Sequence, residues 1–123
     1  MTCSSRCWNP LVLALAGTFT LVAPQGRPVG PAPLDPPPPQ YASWWQEAQA
    51  CTGRHASMRS THFWTALGFL NYPSETGLWS APHNIYVLTV DRLDRNVVIH
   101  EMVHDLLQRG DHDSSCFTEL DVG

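Results

Sequence analysis

The stretch Asn96-Val97-Val98-Ile99-His100-Glu101-Met102-Val103-His104-Asp105-Leu106-Leu107 decides how the rest of this chain is read. One stripe at helical spacing holds Leu93, Val97, His100 and His104, and another holds Ile99, Met102 or Val103, and Leu106. A helix apolar on more than one side is buried, so this segment is expected to be the central helix of a core. Asp91, with Asp94 three residues on, reads as the start, because both put negative charge at the positive end of the helix. The helix is expected to run from Arg92 to about Arg109 and to end at Gly110.

Two histidines and a glutamate in such a helix are unusual, because unpaired polar groups in a small core are costly. At 3.6 residues per turn His100 and His104 lie one turn apart on one face, where both imidazoles reach a single ion. Glu101 is rotated by about 100° from His100, a position from which a carboxylate takes a proton from a metal-bound water without ligating the metal. A metal held there would lower the pKa of that water, and Glu101 would accept its proton as the water attacks a carbonyl. The plain structural alternative is a helix whose His and Glu simply reach solvent.

The motif His100-Glu101-Met102-Val103-His104 resembles the signature of the zincin superfamily of zinc metallopeptidases, HExxH on the active-site helix. The metzincin extension HExxHxxGxxH is not followed, since Gly110 and His112 come later. A histidine just past the helix, followed by an aromatic in His112-Asp-Ser-Ser-Cys-Phe117, looks more like the SprT and WLM types of minimal zincin. The resemblance covers mainly residues 97–117. It implies that His100, His104 and His112 are the zinc (Zn2+) ligands, that Glu101 is the catalytic base and that an aromatic packs behind the third ligand. Asp111 is the competing third ligand, since oxygen donors also suit zinc. Asp105 and Asp113 are expected to be solvated or to orient an imidazole through its other N–H. His55 and His62 fit no ligand pattern and read as surface residues. His83 and Tyr86 are either turn and strand residues or oxyanion donors.

Outward from the helix, Ile85–Val90 is the clearest strand, Gly77–Trp79 a short edge strand, and Ala81–Asn84 a turn. Ser60–Leu70, rich in aromatic and β-branched residues, reads as a further strand ended by Asn71-Tyr72-Pro73-Ser74. Tyr41–Cys51 carries Trp44, Ala48 and Cys51 at i, i+4, i+7 and runs into Gly53, which predicts a short helix. The tryptophans at 44, 45, 64 and 79 read mainly as core, with Trp79 placed to line a cleft.

Of the 11 prolines, nine fall between Pro10 and Pro39, and residues 24–40 read as an extended polyproline spacer. Residues 1–23, with Leu11–Ala23 as an apolar run too short to span a bilayer, read as an export signal; the alternatives are an uncleaved anchor or a misassigned start. The folded domain is then 41–123, a size at which a staple is usually needed. Cys51 and Cys116 are the cysteines left after removal of Cys3 and Cys7, and in an oxidising compartment they pair. Such a loop adds about 4 kcal/mol in the chain-entropy view, against the alternative of two buried free thiols.

All 7 basic residues are Arg against 11 acids, for a net charge of −4. Without Lys, Schiff-base chemistry and a lysine-dependent phosphate loop are excluded, and the acidic balance argues against a nucleic-acid partner. The expectation is a small α+β, zincin-like domain: an N-terminal helix, a short sheet, a buried HExxH helix and a C-terminal loop. It would be secreted or held in the cell envelope, meeting a membrane only through an uncleaved N-terminal segment, and would hydrolyse a peptide or protein substrate. The competing expectation is a non-catalytic zinc-binding or protein-interaction module.

Overall fold

A computed structural model of the chain describes residues 26–121; the expected export signal and its cysteines lie outside these residues. The elements in order are β1 (Arg27–Val29), β2 (Ala32–Pro33), α1 (Gln40–Thr52), β3 (His62–Ala66), β4 (Gly68–Leu70), β5 (Gly77–Ser80), β6 (Asn84–Leu88), α2 (Arg95–Leu107) and α3 (Cys116–Glu119). Short 3-10 turns at Met58–Ser60 and Thr89–Asp91 precede β3 and α2. This is a small α+β domain, as the sequence leads one to expect.

The main sheet has four strands in the order β2-β3-β6-β5. β3 and β6 run parallel with Phe63 opposite Ile85, and β5 pairs antiparallel with β6, with Trp79 opposite Ile85. Side chains alternate across a strand, so Phe63, Ile85 and Val87 point to one face, where they are buried with Val98, Ile99, Met102 and Val103 of α2. Each fully buried aliphatic side chain contributes about 1.5–3 kcal/mol. Tyr41 and Trp45 of α1 complete this core; the Tyr41 ring meets Phe63 edge-on at 5.1 Å. Both give their polar tips a backbone acceptor, Tyr41 Oη donating to the Arg92 carbonyl and Trp45 Nε1 to that of Ala56. α1 ends where expected, at Gly53 in the left-handed conformation (φ 73°).

α2 differs at both ends from the helix expected over 92–109. Thr89–Asp91 form a 3-10 turn and the Arg92 carbonyl is taken up by Tyr41, so the cap falls on Asp94 rather than Asp91. Its carboxylate accepts from the N–H groups of Asn96 and Val97 at 3.0 and 3.4 Å. At the other end Gln108, not Gly110, adopts the left-handed conformation (φ 55°). Its side-chain amide donates to the carbonyls of Pro82 and Asp105, which holds it there.

The strand expected over Ser60–Leu70 is two strands. Leu67 is exposed at the break, its N–H donating to the Val29 carbonyl at 2.8 Å, and β4 then pairs with β1 in a separate two-stranded sheet. The strand expected over Ile85–Val90 stops at Leu88. The expected spacer over 24–40 is also corrected: β1 pairs with β4, β2 adds to the edge of β3, and Leu34 N–H donates to the Phe63 carbonyl. Proline removes one donor per residue, but on an edge strand that donor faces away from the ladder, so short edge pairings survive.

Cys51 and Cys116 form a disulfide with Cα atoms 5.9 Å apart, tying α1 to α3. A disulfide is compatible with an extracytoplasmic location. No helix among the described residues is long and apolar enough to cross a membrane.

Candidate metal centre

His100 and His104 project from adjacent turns of α2, and the loop after the helix returns His112 to them. The Nε2 of His112 is 3.1 Å from that of His100 and 3.2 Å from that of His104. Ligand nitrogens of all three lie within 4.8 Å of one another, and together they can hold a metal ion. One ring nitrogen carries either a lone pair or a hydrogen, so His112 Nε2 cannot satisfy both neighbours with two good hydrogen bonds. A shared cation satisfies all three lone pairs at once. Burial, reinforced by the neighbouring histidines, pushes His100 down to about 4, and burial lowers His104 as well. Both rings are therefore neutral at neutral pH, as metal ligands must be.

The rings are held from behind. His104 Nδ1–H donates to the Arg109 carbonyl at 2.8 Å, which aims Nε2 at the other two rings. That carbonyl is in place because the helix ends at Gln108. Phe117 lies against all three imidazoles, with ring centroids 4.9, 4.6 and 4.9 Å from His100, His104 and His112. It follows Cys116, so the disulfide anchors the residue that packs against the triad. Trp79 of β5 stacks on His104 at 6.1 Å and 18°.

Asp111 is not brought to the triad. Its carboxylate accepts from Arg109 Nε and from the N–H of Asp113, and the latter contact leads in holding its pKa below the usual range. Asp113 is exposed beside Arg109. Asp105 does not orient a ligand imidazole; it is a buried acceptor for Thr61 Oγ1 at 2.7 Å and Trp79 Nε1 at 3.0 Å, with His83 Nδ1 at 3.1 Å. It thereby fixes the indole that stacks on His104. His83 is engaged in that contact and does not line the cleft of the triad, while Tyr86 stacks on Trp64 on the sheet face away from α2. Neither is an oxyanion donor in this arrangement. His55 and His62 are exposed, as expected.

Glu101 lies next to the triad and is 7% exposed. Among the described residues its carboxylate has no hydrogen-bond or ion-pair partner. Burial, with the charge of Glu75 adding to it, pushes its pKa up to about 8. It shares a cleft of about 200 Å3 with Glu75, Gly77, Trp79 and the three histidines. Gly77 is a residue whose role sequence reading did not assign. A Cβ there would lie 2.9 Å from Glu101 Oε2 and 3.1 Å from its Cγ, so any side chain at 77 would push the carboxylate out of this position. A glycine opening a predicted strand was the available signal, since such glycines mark close approach.

β5 is the edge of the main sheet. The Leu88 N–H donates to the Thr76 carbonyl at 3.0 Å. Alternation from that pair turns the N–H and C=O groups of Gly77 and Trp79 away from β6, and among the described residues no other strand pairs with them.

The chain matches no protein-family model, no curated protein and no solved structure at a significant level. The chemistry of the site therefore rests on its own geometry.

Proposed function

We propose that this chain is a minimal zincin-like zinc metallopeptidase that acts outside the cytoplasm on peptide or protein substrates. The observation that carries the proposal is Glu101, a buried carboxylate without a partner among the described residues, set beside three converging imidazoles. Three nitrogen donors suit zinc. A tetrahedral site with Zn–N of 2.0–2.1 Å puts ligand nitrogens about 3.3 Å apart; the two separations from His112 are 3.1 and 3.2 Å, and all three nitrogens lie within 4.8 Å of one another. Asp111 is engaged by Arg109, and among the described residues the group holds three ligands, His100, His104 and His112, the count of a zinc site that keeps a position for a reactant.

Bound there, zinc supplies a lowered pKa for water and polarises the scissile carbonyl. The chain's own residues do the rest. The free edge of β5 holds the peptide as an added strand, with Gly77 and Trp79 presenting backbone groups to it. Glu101 takes the proton from the attacking water as its oxygen adds to the carbonyl carbon. It returns that proton to the amide nitrogen as the C–N bond breaks, giving a carboxylic acid and an amine. The charge of a zinc bound beside it would stabilise the ionised form that burial alone disfavours, so that Glu101 can accept the proton before returning it. Trp79 and Phe117 hold the ligand rings and keep water off their backs. The disulfide and the apolar leader support an extracytoplasmic site of action.

The test combines zinc stoichiometry by elemental analysis with cleavage of a broad peptide library. Glu101→Gln is expected to retain one zinc per chain and to lose turnover by roughly 10²–10⁴-fold, the usual worth of a general base. Wild-type chain that binds zinc and cleaves no peptide would overturn the peptidase and leave a non-catalytic zinc module.

A further inference from the structure

Beside the triad, between α2, α3 and the loop 71–76, lies a second cleft of about 230 Å3. Its floor is apolar and buried, from Ile99, Val103 and the half-cystine Cys116, and Phe117 and Leu120 form a wall. Two exposed carboxylates, Glu75 and Asp121, stand at its rim. His100 and Glu75 line both this cleft and the one that holds Glu101, so the two are neighbours beside the triad.

We propose that this second cleft is a specificity pocket for a long basic side chain, so that the preferred substrate is a peptide with Arg or Lys next to the scissile bond. The proposal rests on the peptidase function above. An Arg or Lys side chain has an apolar stem and a charged head, which match an apolar floor and a carboxylate rim. Among the described residues no Arg lines the pocket. Arg95 is engaged with Glu47 and the Leu120 carbonyl, and Arg109 with Asp111 and Asp113. Among the described residues neither Glu75 nor Asp121 has a cationic partner, so both are available to a ligand. A substrate carboxylate in the same pocket would meet two like charges and be rejected.

The experiment uses the full chain carrying Glu101→Gln, so that peptides bind without turning over, with and without zinc. The probes are two end-blocked Gly/Ala hexapeptides, identical except that one has a central Arg and the other its neutral isostere citrulline; Kd is measured by calorimetry. The Arg peptide is expected to bind about tenfold tighter or more, the worth of a charge-assisted hydrogen bond. The preference should shrink as salt rises and disappear in a chain that also carries Glu75→Gln and Asp121→Asn. Equal Kd values, absence of binding by either peptide, or a preference that survives the double substitution would each overturn the pocket. The same peptides are then offered to zinc-loaded wild-type chain. Cleavage of both at equal rates would leave the peptidase standing and overturn the pocket, whereas selective binding of the Arg peptide without cleavage would overturn the peptidase and support the pocket.

Discussion

Glu101 and Gly77 show how narrowly one carboxylate is placed. The glutamate takes its position next to three histidines where residue 77 contributes no side chain, a would-be Cβ lying 2.9 Å from Oε2. Gly77→Ala is expected to leave zinc stoichiometry unchanged and to lower kcat by about 10²-fold, the cost of an ångström-scale misplacement of a catalytic group; unchanged kcat would refute the placement. The same burial makes stability of the metal-free protein depend on pH. Glu101 at about 8 retains, between 4.5 and 8, a proton that the unfolded chain has lost, so its contribution is full at low pH and fades as pH rises through 8. His100 at about 4 acts in the opposite sense, its contribution growing as pH rises from 4 to 6.5. Above 6.5 the glutamate alone governs, so the melting temperature in chelator should fall from pH 6.5 to 8. Glu101→Gln should remove that fall, and identical pH profiles for the two proteins would count against it.

At the scale of elements, the histidine triad is held by two devices. The helix ends at Gln108, which places the Arg109 carbonyl on His104 Nδ1, and the disulfide carries α3 and Phe117 to the triad. Replacing Cys51 and Cys116 together by Ser is expected to cost about 4 kcal/mol of stability in the loop-entropy view. Zinc affinity should fall with it, because Phe117 follows the released cysteine. A double variant that keeps wild-type zinc affinity would separate the disulfide from the site and leave it as a staple alone.

For the whole molecule, the short Pro-rich stretch matters more than its composition suggests. β1 and β2 close the edges of two sheets, and Leu34 packs against the core. A chain beginning at Tyr41 should therefore be less stable, and melt lower, than one beginning at Gly26, the partly buried Leu34 alone accounting for up to about 1.5 kcal/mol. Equal melting temperatures would restore that stretch to the role of a spacer.

The elements near the centre of the chain were legible in the sequence because their signals are local. The period of α2, the helix of α1 with its Gly53 stop, the edge strand at Gly77 and the pairing of the two remaining cysteines all follow from spacing, propensity and count. The spacing of His100, Glu101 and His104 likewise assigns them to one helix face and its flank without reference to any other part of the fold. What the local pattern could not supply were contacts between residues far apart in the chain. Tyr41 moves the start of α2 by taking the Arg92 carbonyl, and Arg109 engages Asp111, so that His112 and not the aspartate reaches the triad. Val29 divides an apparently continuous strand at Leu67. In the same way, only the packing of β5 on α2 makes Gly77 the space for a carboxylate and Asp105 the support of Trp79. The sequence by itself determined which residues can ligate a metal and move a proton; the tertiary structure decided which of them meet, because convergence depends on long-range hydrogen bonds and packing that no local period encodes.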